Sequence, residues 1–139
     1  MPDDLSCQIL EHCADALIYA DHAGTIARWN AAAERVFGWS AAQAIGQSLD
    51  LIIPEHLRAA HWAGYQRAMR SGQLHLQGKA TLTRSLHASG AKLYVEMSFA
   101  VVRDANGQPL GSVAMARDVS ARVAQEKTAS AAKTPKTAS

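Results

Sequence analysis

Hydrophobic positions along the chain change period several times, and each change marks an element. Leu5, Ile9, Leu10 and Cys13 fall at helical spacing and predict a short amphipathic helix. "ALIYAD" (16–21) is a short apolar run that reads as a buried strand. His22-Ala23-Gly24 then supplies a reversal, and Thr25, Ile26 and Trp29 read as a second, antiparallel strand. Asn30 stands as the N-cap of "AAAERVFGW", a helix that Gly38 ends. Ser40 caps a second piece, "AAQAIG", closed by Gly46.

Residues 54–72, "PEHLRAAHWAGYQRAMRSG", predict the longest helix, from about 55 to 70, between a proline and a glycine. Its apolar stripe is Leu57, Ala60, Gly64 and Ala68. His61 falls on that stripe, away from Arg58, Gln66 and Arg70. After Gly72 the period shortens to two. "LHLQGKATLTRSL" sends Leu76, Ala80 and Leu82 one way and Lys79, Thr81 and Thr83 the other. "LYVEMSFAVVRD" and "LGSVAMARDV" follow as strands around Asn106-Gly107, a hairpin signal. The expected fold is α+β: a five-stranded antiparallel sheet with short helices packed on one face.

Charge changes the picture only at the C-terminal end. Residues 1–120 carry ten Lys/Arg and eleven Asp/Glu, a net of −1; residues 121–139 carry four and one, a net of +3. The domain is therefore assigned to 1–120, with 121–139 as an exit helix leading into a disordered tail. "TASAAKTPKTAS" has neither aromatic nor branched aliphatic residues to offset its ordering entropy. A domain lacking a basic face of its own argues against nucleic acid. With no apolar run of roughly 18 residues and no basic region ahead of an apolar stretch, the reading is cytoplasmic, with no membrane partner.

An enzyme is not expected. The six histidines are scattered, no nucleophile, base and orienting group recur in a recognised order, and neither a P-loop nor G-x-G-x-x-G occurs. Cys7 and Cys13 form no C-x-x-C pair. Trp39 is expected to cover the core. Trp62, placed off the His61 stripe, is an interface candidate, and the 5–13 helix is a candidate homodimer element.

The element order, with "IYADHAGTIARWNAAAERVFGWSAAQAIGQSLDLIIPE" and "RDANGQPLGSVAMARDVSAR", resembles the PAS sensor family over about residues 5–122. The resemblance implies a curved sheet and helical shell around a small cavity, and a signalling role. "IPEHLRAAH" further resembles the haem-PAS oxygen sensors of the FixL type. That likeness implies His61 as the haem and metal ligand, with Arg67 and His75 toward the propionates, Gly64 giving room for a flat ring, and a glycine of that family at Gly78. The pattern is broken where that family's distal arginine falls on Thr81; Lys79 or Arg84 could replace it only with a shifted register. Met97 and Met115 are then candidate distal neighbours or a sixth ligand, beside the plain reading of core packing.

Other readings stay open beside this one. His61 can be a core histidine with both nitrogens satisfied. The cavity can take another small ligand, such as a flavin, a small carboxylate or a lipid, although a photoreactive cysteine is missing after Asn30. A cofactor-free PAS module can serve dimerisation or dock a separate signalling protein such as a kinase or regulator.

Overall fold

A computed structural model of the chain describes residues 4–72 and 80–133. Its elements are α1 (Leu5–His12), β1 (Ala16–Asp21), β2 (Ile26–Trp29), α2 (Ala31–Phe37), α3 (Ala41–Ala44), two 3-10 turns (Leu49–Ile52 and Glu55–Leu57), α4 (Arg58–Ser71), β3 (Thr81–Leu86), β4 (Lys92–Arg103), β5 (Pro109–Asp118) and α5 (Ser120–Lys133). The strands form one five-stranded sheet in the order β2-β1-β5-β4-β3, antiparallel throughout.

Local chemistry sets most boundaries. In the β1–β2 turn, the Asp21 carboxylate accepts from the amides of Ala23 and Thr25, both at 3.0 Å. Gly24 sits at φ +86°, and a side chain there would run into the Trp62 ring. Ser40 and Gln43 form a reciprocal capping box at α3. Gly72, at φ +76°, ends α4 by donating to the Ala68 carbonyl.

Asn30 does more than cap α2. Its Oδ1 accepts from the amides of Ala33 and Leu17, each at 2.9 Å. Its Nδ2 donates to the carbonyls of Leu10 (2.9 Å) and Asp15 (3.2 Å). At 3% exposure it has every hydrogen-bonding site on its amide engaged, and it stitches α1, β1 and α2 together.

The core lies between one face of the sheet and the helices α2–α4. Alternation along the strands turns Ile18 and Ala20 of β1, Val95 and Met97 of β4, and Ala114 and Ala116 of β5 onto that inner face. The outer face carries Met115, opposite Ser98, and Arg84, opposite Tyr94.

Three expectations change. The predicted long helix begins with a 3-10 turn, because Pro54 lacks the amide and the side chain needed for a cap, and α4 proper starts at Arg58. Trp62 is a packing residue and not a free anchor: it is half-buried, and its Nε1 donates to Asp50 at 2.7 Å. Tyr65, one turn on from His61, is buried. Residues 128–133 of the low-complexity tail continue α5, which is held to the domain by buried Val123 and by Lys127 Nζ donating to the Tyr94 hydroxyl at 3.3 Å. Trp39 packs against the core as expected.

Candidate functional site

The inner face is not filled by side chains. A cavity of about 430 Å³ separates α4 and the 3-10 turns from the sheet, within the usual range for small-molecule sites. One wall is helical, built from Leu57, Ala60, His61 and Gly64. The other is the sheet, which contributes Ile18, Met97, Phe99 and Ala114 with the hydroxyls of Thr83, Ser85 and Ser112. Arg67, itself exposed, also lines the cavity and so stands at its rim.

His61 reaches this wall because α4 turns the Leu57–Ala60–Gly64 stripe inward. Its ring lies 4.7 Å from the Trp62 ring, edge to face, and 5.7 Å from the Tyr65 ring. Burial lowers its pKa below the ordinary histidine value, and the Asp50 carboxylate opposes the shift. The ring is thus neutral at pH 7, the form that donates a lone pair to a metal. Its Nδ1 is buried with no hydrogen-bond partner among the described residues. That disfavours a core histidine satisfied at both nitrogens.

Gly64 keeps space open beside the imidazole. A Cβ there would meet only the Arg67 guanidinium, at 3.8 Å. Next along the helix, the Tyr65 hydroxyl donates to the Asp21 carbonyl at 2.6 Å and accepts from the Ser112 hydroxyl at 3.4 Å. The cavity-lining helix is thereby tied to β1 and β5.

Of the residues singled out in the sequence, His61, Gly64, Arg67, Arg84 and Met97 line this cavity. Thr81 is opposite Met97 at the start of β3, with its hydroxyl on the Met97 carbonyl at 3.4 Å, and does not line the cavity. Met115 is on the opposite face of the sheet, because only the even-numbered positions of β5 point inward, and it is withdrawn as a distal residue. Arg84 pairs with Tyr94 across β3 and β4, its guanidinium 5.8 Å from the Tyr94 ring centroid; it also borders the cavity, and its Nε is buried with no hydrogen-bond partner among the described residues. His75, Gly78 and Lys79 lie outside the described residues. Tyr65, Thr83, Ser85 and Ser112 escaped notice. A signal was present for two of them: Thr81, Thr83 and Ser85 recur at period two opposite Leu82 and Leu86, an amphipathic strand whose polar face points inward.

A sheet, a helical shell and a cavity between them, open at one side and lined by one neutral imidazole, are an arrangement for holding a ligand. The PAS-fold family profile matches residues 7–119. The chain belongs to the PAS family. This places it among sensory and signalling modules. Three relatives are similar to it: an uncharacterized protein of Azorhizobium caulinodans, 33% identical over 86% of this chain; Sensor protein FixL of Bradyrhizobium diazoefficiens, 31% identical over 73%; and Oxygen sensor protein DosP of Escherichia coli, 27% identical over 71%. The chain spans only 16%, 20% and 12% of their respective lengths. Among solved structures, a PAS domain from Colwellia psychrerythraea superimposes with a TM-score of 0.72 at 24% identity, covering 84% of this chain and 96% of that one. An RNA-binding Light-Oxygen-Voltage receptor superimposes at 0.67 and 23% identity, covering 91% of this chain and 36% of that one. At these identities the structural likenesses speak to the fold. Among the described residues no helix is long and apolar enough to cross a membrane.

Proposed function

We propose that this PAS domain binds haem through His61 and senses a diatomic gas or redox state. The observation that carries the reading is the His61 imidazole: neutral, unpartnered at Nδ1, and set in the wall of a largely apolar cavity beside the open space at Gly64. Among the described residues no three His, Cys, Asp or Glu side chains cluster. A metal at His61 would therefore have to bring its remaining ligands with it, as a porphyrin does.

The residues present fit that group. His61 would hold the iron, Gly64 would admit the ring edge, the apolar sheet wall would exclude water, and Arg67 at the rim would meet a carboxylate. His75 is retained as a second candidate for a carboxylate. Bound haem supplies the redox-active centre that takes the gas. Similarity to a sensor protein and to an oxygen sensor protein supports the same reading.

The protein's own contribution is mechanical. Tyr65 fastens the His61 helix to the β1–β2 hairpin and to β5, and β5 runs directly into α5. A ligand that binds one position of α4 better than another shifts the population of sheet and exit helix together. The output would pass to a kinase or regulator, within a homodimer or in a separate chain. A second reading, a dimerisation module without cofactor, is favoured by α1, which buries none of its residues and leaves Leu5 73% and Ile9 55% exposed.

The test is the absorption spectrum of protein purified from cells supplied with haem precursor. A Soret band that His61→Ala abolishes supports the sensor. Its absence from wild-type protein reconstituted with haem leaves the dimerisation module.

A further inference from the structure

Away from the cavity, three cations gather around one tyrosine. Tyr94 of β4 has the Arg84 guanidinium 5.8 Å from its ring centroid and Lys127 Nζ of α5 5.0 Å from it. Lys127 also donates to the Tyr94 hydroxyl at 3.3 Å. By that hydrogen bond and by its charge, Lys127 holds the phenol below the ordinary tyrosine pKa, and Arg84 and Lys92 add to the effect. The carboxylates of Glu96 and Glu126 do not balance these charges, because Arg122 takes both, at 3.7 Å each. Arg84, Lys92 and Lys127 have no ion pair among the described residues.

The exit helix assembles this patch. Tyr94 accepts from the Val119 amide at 2.8 Å and donates its own amide to the Ser120 hydroxyl at 3.0 Å, and Val123 is buried against the domain. Lys127 reaches Tyr94 only because α5 is docked in this way. Beside the cations stands Leu82, 57% exposed, opposite Glu96 and two residues before Arg84 on the same face of β3. Like charges gathered without a counter-charge raise the local potential and attract an anionic partner. A nucleic acid would need a longer basic track than three cations interrupted by Glu96 and bordered by an exposed leucine.

We propose that Arg84, Lys92 and Lys127, with Leu82 beside them, form a docking surface for an acidic segment of a partner protein, complete only while α5 lies on the sheet. The carboxylates of the segment meet the three cations, and an apolar residue of the segment rests on Leu82. A partner that binds only the docked arrangement holds α5 in place, and an event that lifts α5 releases the partner, because the two equilibria are linked. The surface needs α5 docked whatever fills the cavity, so it stands or falls apart from the haem reading.

The test uses the ligand-free full chain and a fluorescent glutamate-rich peptide carrying one leucine, followed by anisotropy. Wild type is expected to bind it saturably at low salt and more weakly as salt is raised. Lys92→Glu and Lys127→Glu, both on the surface, are each expected to weaken binding roughly fivefold or more. Arg70→Glu makes the same change of charge at an exposed position on α4 and is expected to stay within about twofold of wild type. Val123→Asn alters no charge, yet is expected to lose both the peptide and the hydrogen-exchange protection of Ser120–Lys133; the two lysine variants carry the test where that one does not fold. Absence of saturable binding to wild type overturns the proposal. So does equal weakening by Arg70→Glu, or binding of single-stranded DNA as tight as that of the peptide. Wild-type affinity in a Val123→Asn chain that has lost the protection overturns the dependence on α5.

Discussion

The ring of Tyr65 lies 5.7 Å from that of His61, tilted by 31°, one helical turn along the same face of α4. His61 looks into the cavity, while Tyr65 reaches past it to Asp21 at 2.6 Å, in the turn that joins the first two strands. A shift of the imidazole is therefore felt at a hydrogen bond to the sheet without passing through a loop.

Tyr65→Phe removes that tether and keeps the ring. The Asp21 carbonyl still accepts from the Gly24 amide at 2.9 Å, so the loss of stability is modest, about 1 kcal/mol. Urea denaturation of ligand-free protein checks the stability. The diagnostic result is separate: ligand binding at His61 no longer changes hydrogen exchange in Ala16–Asp21.

Asn30 is expected to matter more for folding. Asn30→Ala removes an N-cap and strands the buried Leu17 amide, a combined cost of about 2–4 kcal/mol. A fall in the urea midpoint with an unchanged slope is the expected outcome. A cost below about 0.5 kcal/mol contradicts the account of a buried amide joining three elements.

Gly64 separates stability from binding. In a helix with open space at its Cβ, Gly64→Ala stabilises the ligand-free domain by up to about 1 kcal/mol. Gly64→Leu fills the room beside His61 and weakens haem uptake at least tenfold while the fold is retained. Thermal melts and haem titration of the two variants read these effects independently.

The pH dependence follows from the direction of the His61 shift. Burial lowers the folded-state pKa below the ordinary 6.5, so between those values the unfolded chain binds a proton that the folded chain does not. Stability from a neutral His61 is present above about pH 6.5 and falls as the pH drops toward the folded pKa. Ligand-free wild type should lose more stability than His61→Gln between pH 7.5 and 5.5. An identical loss in both proteins contradicts a buried neutral ring.

Much of this fold could be read from local signals: the caps at Asn30 and Ser40, the stop at Gly72, and the turns at Gly24 and Gly107. The inward placement of His61 was legible too, because a helix of 3.6-residue period puts it on the Leu57–Gly64 stripe. What escaped was set by tertiary contact. Trp62 looked free until the β1–β2 turn brought Gly24 beneath it and Asp50 to its nitrogen. Met115 looked equivalent to Met97 because strand alternation fixes a face only once the register with β1 and β4 is known. Ser85 was hidden by the ordinary assumption that the apolar side of a strand points inward. On β3 the reverse holds: Leu82 is 57% exposed, and the hydroxyls face the cavity.

The central claim, that His61 offers a free nitrogen to a ligand enclosed between α4 and the sheet, is tested most directly by titrating ligand-free protein with hemin and following the Soret band. Wild type is expected to saturate at one haem per chain. His61→Gly is expected to lose the band and to regain it when imidazole is added to the solution. Saturable binding that is the same in wild type and His61→Gly, with no response to imidazole, would contradict it.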